Sequence, residues 1–136
     1  MTDKFNSELG QGSPEDKRGE GMRFNVGKPP MEFAPIHLLA GASQVFKIVT
    51  EREHNPYPIW NWAKGMPWTV PYACMLRHLG AWFRGEDIDP DSGHPHLDHV
   101  HCNLLMLLHY RDAFKEGDNR PTKYFQLGGM SDELVS

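Results

Sequence analysis

The sequence predicts an all-α domain, a small bundle of three to four helices with an extended N-terminal arm and a loop rich in proline and tryptophan. Three observations predict it. Apolar residues recur at helical spacing in three long segments, near 36–53, 72–84 and 95–115. The middle segment is bracketed by Pro71 and Gly85, the usual terminal asymmetry of a helix. The 136 residues suffice for one domain with a real core.

Residues 1–22 are polar and glycine-rich, so they bury little apolar surface and are expected to be a disordered tail. Residues 23–35, RFNVGKPPMEFAP, carry Gly27 and three prolines, which argues for an extended arm. From Ile36 to about Glu53, Leu38, Leu39, Ala42, Val45, Phe46 and Val49 share one helical face, and Pro35 suits the first turn. Glu51 and Glu53, two apart, lie on different faces and read as solvated. Residues 55–71 hold four prolines, Gly65 and three of the four tryptophans, so they form an irregular loop. Its aromatic side chains either cap the core or stack on a planar ligand. The helix from Tyr72 to Arg84 places Tyr72, Leu76, Leu79 and Phe83 on one stripe. On the helix from Pro95 to about Lys115, Leu97, Val100, Leu104, Leu107 and Leu108 form an apolar arc. His96, His99 and Asn103 cluster along one border of that arc, and Asp98 points away from them. The helical domain is expected to span 23–117. Residues 118–136 form a polar tail, in which Tyr124, Phe125 and Leu127 make a small patch.

A formal charge of −4 argues against duplex nucleic acid as a partner, because phosphate contacts need a basic surface. Cys74 and Cys102 form no C-x-x-C, so no zinc knuckle is indicated and reduced thiols in a cytoplasm are expected. No apolar run reaches the roughly 18–20 residues of a membrane span, and the N-terminus lacks a signal-peptide pattern.

The chemistry concentrates between Arg77 and Asn103. Glu86, Asp87, Asp89 and Asp91 fill the turn of an αα-hairpin, and five of the eight histidines lie from His94 to His109. Glu86, Asp87 and Asp89 offer hard oxygen ligands suited to Mg²⁺ or Mn²⁺. His78, His96 and His99 add imidazole, which suits Mn, Co or Zn better. The same composition also describes a well-solvated acidic turn. An EF-hand is excluded, because Gly93 is one place late, Pro90 interrupts the loop and the last ligand is not Glu. There is no His-Asp dipeptide and no glycine-rich phosphate loop.

The strings GKPPMEFAP, NWAKGMPW and RHLGAWFRGEDIDPDSGHPHLDHVHCNLLML, spread over roughly Arg23 to Phe114, resemble the phage-associated dATP/dGTP diphosphohydrolase N-terminal-domain family. Its members are similar to all-α nucleotide pyrophosphohydrolases of the MazG type. The resemblance implies a divalent metal, Mg²⁺ or Mn²⁺ with Co²⁺ also suitable, and cleavage of a purine deoxynucleoside triphosphate to monophosphate and pyrophosphate in phage nucleotide metabolism. It also implies a homo-oligomer, a dimer or tetramer that shares helices. On that reading Glu86, Asp87, Asp89 and His99 hold the metal, and Glu86 or His78 takes a proton from water. Lys28, Lys64 and Arg77 neutralise phosphate, Trp62 or Trp82 stacks on the base, and His96 and Asn103 line the substrate site. The E-x-x-E and E-x-x-D pairs of MazG-type helices are missing here, and Glu51 and Glu53 do not restore them. Either the carboxylates come from the turn or the activity is altered. A non-catalytic module that holds a nucleotide or protein through its tryptophan loop is the alternative, and a metal-stabilised structural protein is a second one.

Overall fold

The computed structural model describes residues 18, 19 and 21–126. Most of the expected N-terminal tail, and Leu127 of the C-terminal patch, lie outside the described residues. The chain divides into two compact units, up to Ile36 and from His37 onward. The first contains a tight turn, in which the Lys28 amide donates to the Asn25 carbonyl at 3.0 Å, and a single 3₁₀ turn, Met31–Phe33. Lys28 belongs to this unit.

The second unit holds three α-helices: α1 (Leu39–Glu51), α2 (Thr69–Phe83) and α3 (His96–Ala113). There is no named strand among the described residues, so the all-α expectation holds. A 3₁₀ turn, Ile36–Leu38, precedes α1, so that helix begins three residues later than its periodicity implied. Glu51 is exposed beside Lys47 at 3.3 Å, and Glu53 is also exposed. Helix α2 starts earlier than expected, because Pro71 sits inside its first turn, where a missing N–H costs nothing. Asn119, from the stretch expected to be a tail, accepts from the Thr69 amide at 3.1 Å and caps that end. Helix α3 stops at Ala113 and a 3₁₀ turn, Lys115–Gly117, follows.

Helices α2 and α3 are antiparallel neighbours: His78 meets His96 and His99, Cys74 meets Asn103, and Tyr72 and Leu108 line one groove. Helix α1 crosses α3, where Ala42, Val45 and Cys102 form the buried core with Phe46, Leu105 and Met106 packed on it. At Gly41 this crossing is so close that an added Cβ would strike the Asp98 carboxylate. The tryptophan loop is stitched to the end of α3. The Trp68 indole donates to the Phe114 carbonyl at 2.9 Å, and the Phe114 ring lies against Gly65, whose φ is +99°. The buried Tyr110 hydroxyl donates to the Trp62 carbonyl.

Helical spacing does not say which side of α2 and α3 is buried. The leucine arcs of α2 and α3 do not form the interior of the single chain. Tyr72, Leu76, Leu79 and Phe83 are exposed, and so are Leu97, Leu104 and Leu108. The inward side of α3 instead carries His96, Cys102, Asn103 and Tyr110. The antiparallel pair turns its hydrogen-bonding side chains toward each other and toward α1, which leaves the aliphatic stripe outside.

Candidate functional site

The hairpin that joins α2 to α3 is built to hold its side chains in place. Gly85, at φ +97°, ends α2 in a Schellman motif: its amide donates to the Trp82 carbonyl and the Glu86 amide to the Ala81 carbonyl. That fixes where Glu86 leaves the helix. The turn then closes on itself. The Asp89 amide donates to the His94 carbonyl at 2.9 Å, and the His96 amide donates to the Asp87 carbonyl at 2.9 Å. Residues 87 and 96 are thereby held opposite each other at the mouth of the helix pair.

Five side chains converge there. His78 and His96 face each other through their Nδ1 atoms at 2.8 Å. His96 Nε2 lies 2.7 Å from Glu86 Oε1. A carboxylate only accepts, so Nε2 carries the hydrogen, His96 Nδ1 is a lone pair, and His78 Nδ1 donates to it. His99 stacks on His78, with ring centroids 4.1 Å apart and planes within 3°. Asp89 is buried and both its oxygens are engaged: the Asp91 amide donates to Oδ1 at 3.0 Å and the Ser92 hydroxyl to Oδ2 at 3.1 Å. Ser92 Oγ in turn accepts from the His94 amide and sits 2.7 Å from His99 Nε2, which donates to it. Donor atoms of His78, Asp89 and His96 all lie within 4.8 Å of one another.

The electrostatics follow from burial and crowding. Burial lowers the His78 pKa, opposed by Asp89 and reinforced by His96 and Arg77. Burial also lowers His99, again reinforced by its neighbour His78. For Asp89, burial pushes upward, but the Asp91 amide, the Ser92 hydroxyl and the two histidines outweigh it and hold the carboxyl below its usual range. Both histidines are therefore biased to the neutral form that a metal ligand needs, facing an ionised carboxylate. Burial drives the Cys102 thiol up to about 12, which removes it as a nucleophile or ligand at neutral pH.

A cavity of about 210 Å³ opens beside this cluster, with Phe46, Trp62, His99, Cys102 and Asn103 in its wall. Trp62 packs on Phe46 at 5.2 Å and meets the edge of His109 at 5.3 Å. Asn103 Nδ2 donates to the His99 carbonyl at 2.8 Å and to Cys74 Sγ at 3.3 Å. The carbonyl can only accept, so the amide orientation is fixed, and Asn103 Oδ1 makes no hydrogen bond among the described residues. A larger groove of about 630 Å³ lies toward the other end of α3, with Trp68, Tyr72, Arg111 and Arg120 in its wall. It holds no histidine or carboxylate, and its arginines pair with Asp112 and Asp118, so the chemistry belongs to the smaller cavity.

Of the residues singled out by sequence, the fold brings Glu86, His78, Asp89, His96, His99 and Asn103 together, and Trp62 joins them through the cavity. Asp87 contributes its carbonyl to the His96 amide while the residue itself is exposed. Arg77 is exposed beside His78, Lys64 is exposed two residues after Trp62, and Trp82 is exposed one turn beyond His78. Ser92, which links Asp89 to His99, was not singled out. Its only sequence signal is a small polar residue before Gly93 in the turn.

The family model described as dATP/dGTP diphosphohydrolase, N-terminal, matches residues 18–120. No curated protein and no solved structure matches the chain. The matched span covers all three helices, the tryptophan loop and the closed hairpin, and the chain belongs to the dATP/dGTP diphosphohydrolase N-terminal family.

Proposed function

We propose that the chain hydrolyses a purine deoxynucleoside triphosphate to the monophosphate and pyrophosphate, with a divalent ion at the hairpin. One juxtaposition carries this reading: a three-donor group of His78, Asp89 and His96 beside an aromatic cavity, with His99 in contact with both. The donor chemistry fits a divalent cation, since two imidazoles and a carboxylate converge and the His96 Nδ1 lone pair points into the group, where a cation would replace the hydrogen His78 now donates to it. When bound, such an ion polarises phosphoryl oxygens and lowers the pKa of an attacking water. Mg²⁺, Mn²⁺ and Co²⁺ are the ions to try.

The remaining roles fall to the chain's own side chains. Trp62 and Phe46 offer faces for a purine ring, and Asn103 Oδ1 offers an acceptor to a base N–H. Arg77, exposed beside His78, offsets phosphate charge, and Lys64, exposed two residues after Trp62, is a second cation for that role. Glu86 uses one oxygen on His96, and its second oxygen makes no hydrogen bond among the described residues, so it is free to take a proton from water. The exposed stripe from Tyr72 to Phe83 and from Leu97 to Leu108 is the surface through which we propose that copies of the chain associate.

The test is to incubate the purified protein with each dNTP and each of the three ions, then resolve the products. dGTP or dATP giving the monophosphate and pyrophosphate supports the reading. Deoxynucleoside plus tripolyphosphate would place the cut at a different bond. No turnover with any ion would favour the alternative, a non-catalytic module, for which the exposed Trp60 at the loop surface speaks.

A further inference from the structure

The donors at the hairpin discriminate among divalent ions. Mg²⁺ favours an all-oxygen, octahedral shell and keeps several waters. The side chains that converge here supply nitrogen instead. His78 and His96 point their Nδ1 atoms at one another at 2.8 Å, a separation at which two ring nitrogens need a shared positive centre, either a proton or a cation. The buried Asp89 carboxylate is the third donor within reach, and it is the only carboxylate in the group.

The other candidates are committed elsewhere. The Asp87 carbonyl closes the turn, and that residue is exposed. His99 Nε2 is held by Ser92. Glu86 is engaged with Nε2 of His96, the nitrogen on the opposite side of that ring from His78. A carboxylate on the far nitrogen of a ligating histidine is a recurrent metal-site arrangement: it fixes the tautomer, aims the ring and raises its basicity.

We infer that His78 Nδ1, its hydrogen moved to Nε2, His96 Nδ1 and an Asp89 oxygen form a site for a borderline first-row ion of the Mn²⁺, Co²⁺ or Zn²⁺ class in preference to Mg²⁺, with Glu86 outside the ligand set as the positioning residue of His96. This rests on the proposed function only for what the ion is used for; the site itself stands on the donor geometry. Three protein donors leave room for water or a phosphate oxygen, as in catalytic sites and unlike closed structural ones.

The experiment is metal binding without nucleotide. Chelator-stripped protein is titrated with Mn²⁺, Co²⁺, Zn²⁺ or Mg²⁺ by calorimetry, and melting temperature is read in parallel. The three transition ions should bind at one per chain and raise the melting temperature, and Mg²⁺ at the same concentration should do neither. His78→Gln and Asp89→Asn, each checked for native helicity, should lose the transition-ion response. Glu86→Gln should keep the stoichiometry and weaken affinity by about 10- to 100-fold, the usual cost of losing an outer contact. The visible spectrum of bound Co²⁺ should be absent in His78→Gln and keep its form in Glu86→Gln. Equal binding of Mg²⁺, unaltered binding in folded His78→Gln, or complete loss of stoichiometry in Glu86→Gln would overturn the inference. The two proposals fail separately. Co²⁺ bound through His78 with no dNTP cleaved would sink the enzymatic reading alone. dNTP cleavage with Mg²⁺ that persists in His78→Gln would sink this inference alone.

Discussion

His78 and His99 stack face to face in a partly buried pocket, and both are held below the ordinary histidine pKa of 6.5. The sign of the pH dependence follows. Below pH 6.5 the unfolded chain takes up protons on these histidines that the native metal-free protein still refuses. Their contribution is fully present above 6.5 and is lost as pH falls toward their lowered native values. Asp89 acts in the same sense below 3.8, because its native carboxyl is held lower than that. Melting temperature of chelated protein should therefore be level above pH 6.5 and decline below it; a rise on acidification would contradict the neutral assignment of the pair. The sequence placed His78, His96, His99 and Asn103 on facing helical surfaces, because a 3.6-residue period is enough for that. It did not reveal which nitrogen faces which, nor that Ser92 ties Asp89 to His99. Those depend on closure of the turn between Asp87 and His96, which no period encodes.

The ends of the α2–α3 pair were the legible parts of the elements, and the crossing with α1 was not. Gly85 as a C-terminal stop could be read directly, and its φ of +97° supplies the reason. Gly85→Ala should lower stability by about 1 kcal/mol and loosen Glu86, measured as denaturant midpoint and as Co²⁺ affinity. Unchanged values for both would mean that the Schellman turn does not position Glu86. At Gly41 the expectation from helix propensity alone is a gain of about 1 kcal/mol for alanine. The Asp98 carboxylate occupies the space a Cβ would need and must swing aside, so Gly41→Ala should forgo that gain. Adding Asp98→Ala should restore the gain to Gly41→Ala, and a double-mutant cycle with no coupling would show that the two residues do not meet. Asp98 read from the sequence as a side chain pointing away from the histidines; that its carboxylate meets Gly41 of α1 was beyond a helical wheel.

For the whole molecule, the all-α class was legible because three helices announce themselves by spacing, while the direction of their apolar faces was not. A wheel shows that Leu76 and Leu104 share stripes with other apolar residues. It does not show that, in one chain, the buried side belongs to His96, Cys102, Asn103 and Tyr110. This exposed two-helix apolar face is the one through which we propose that copies associate. Leu76→Lys combined with Leu104→Lys should shift the protein to a monomer in analytical ultracentrifugation while helicity is retained, and a wild type that is already monomeric at micromolar concentration would contradict the proposed association. The proposed metal-dependent release of pyrophosphate depends on the hairpin cluster, and Asp89 probes it best because this residue is buried and shared by the turn, Ser92 and the donor group. The decisive measurement is pyrophosphate release from dGTP and dATP by wild type and by Asp89→Asn, compared at matched melting temperature and saturating Mn²⁺ or Co²⁺. The expected result is monophosphate and pyrophosphate from the wild type and a loss of about 100-fold or more in the variant. Equal rates from the two proteins, or tripolyphosphate as the product, would contradict it.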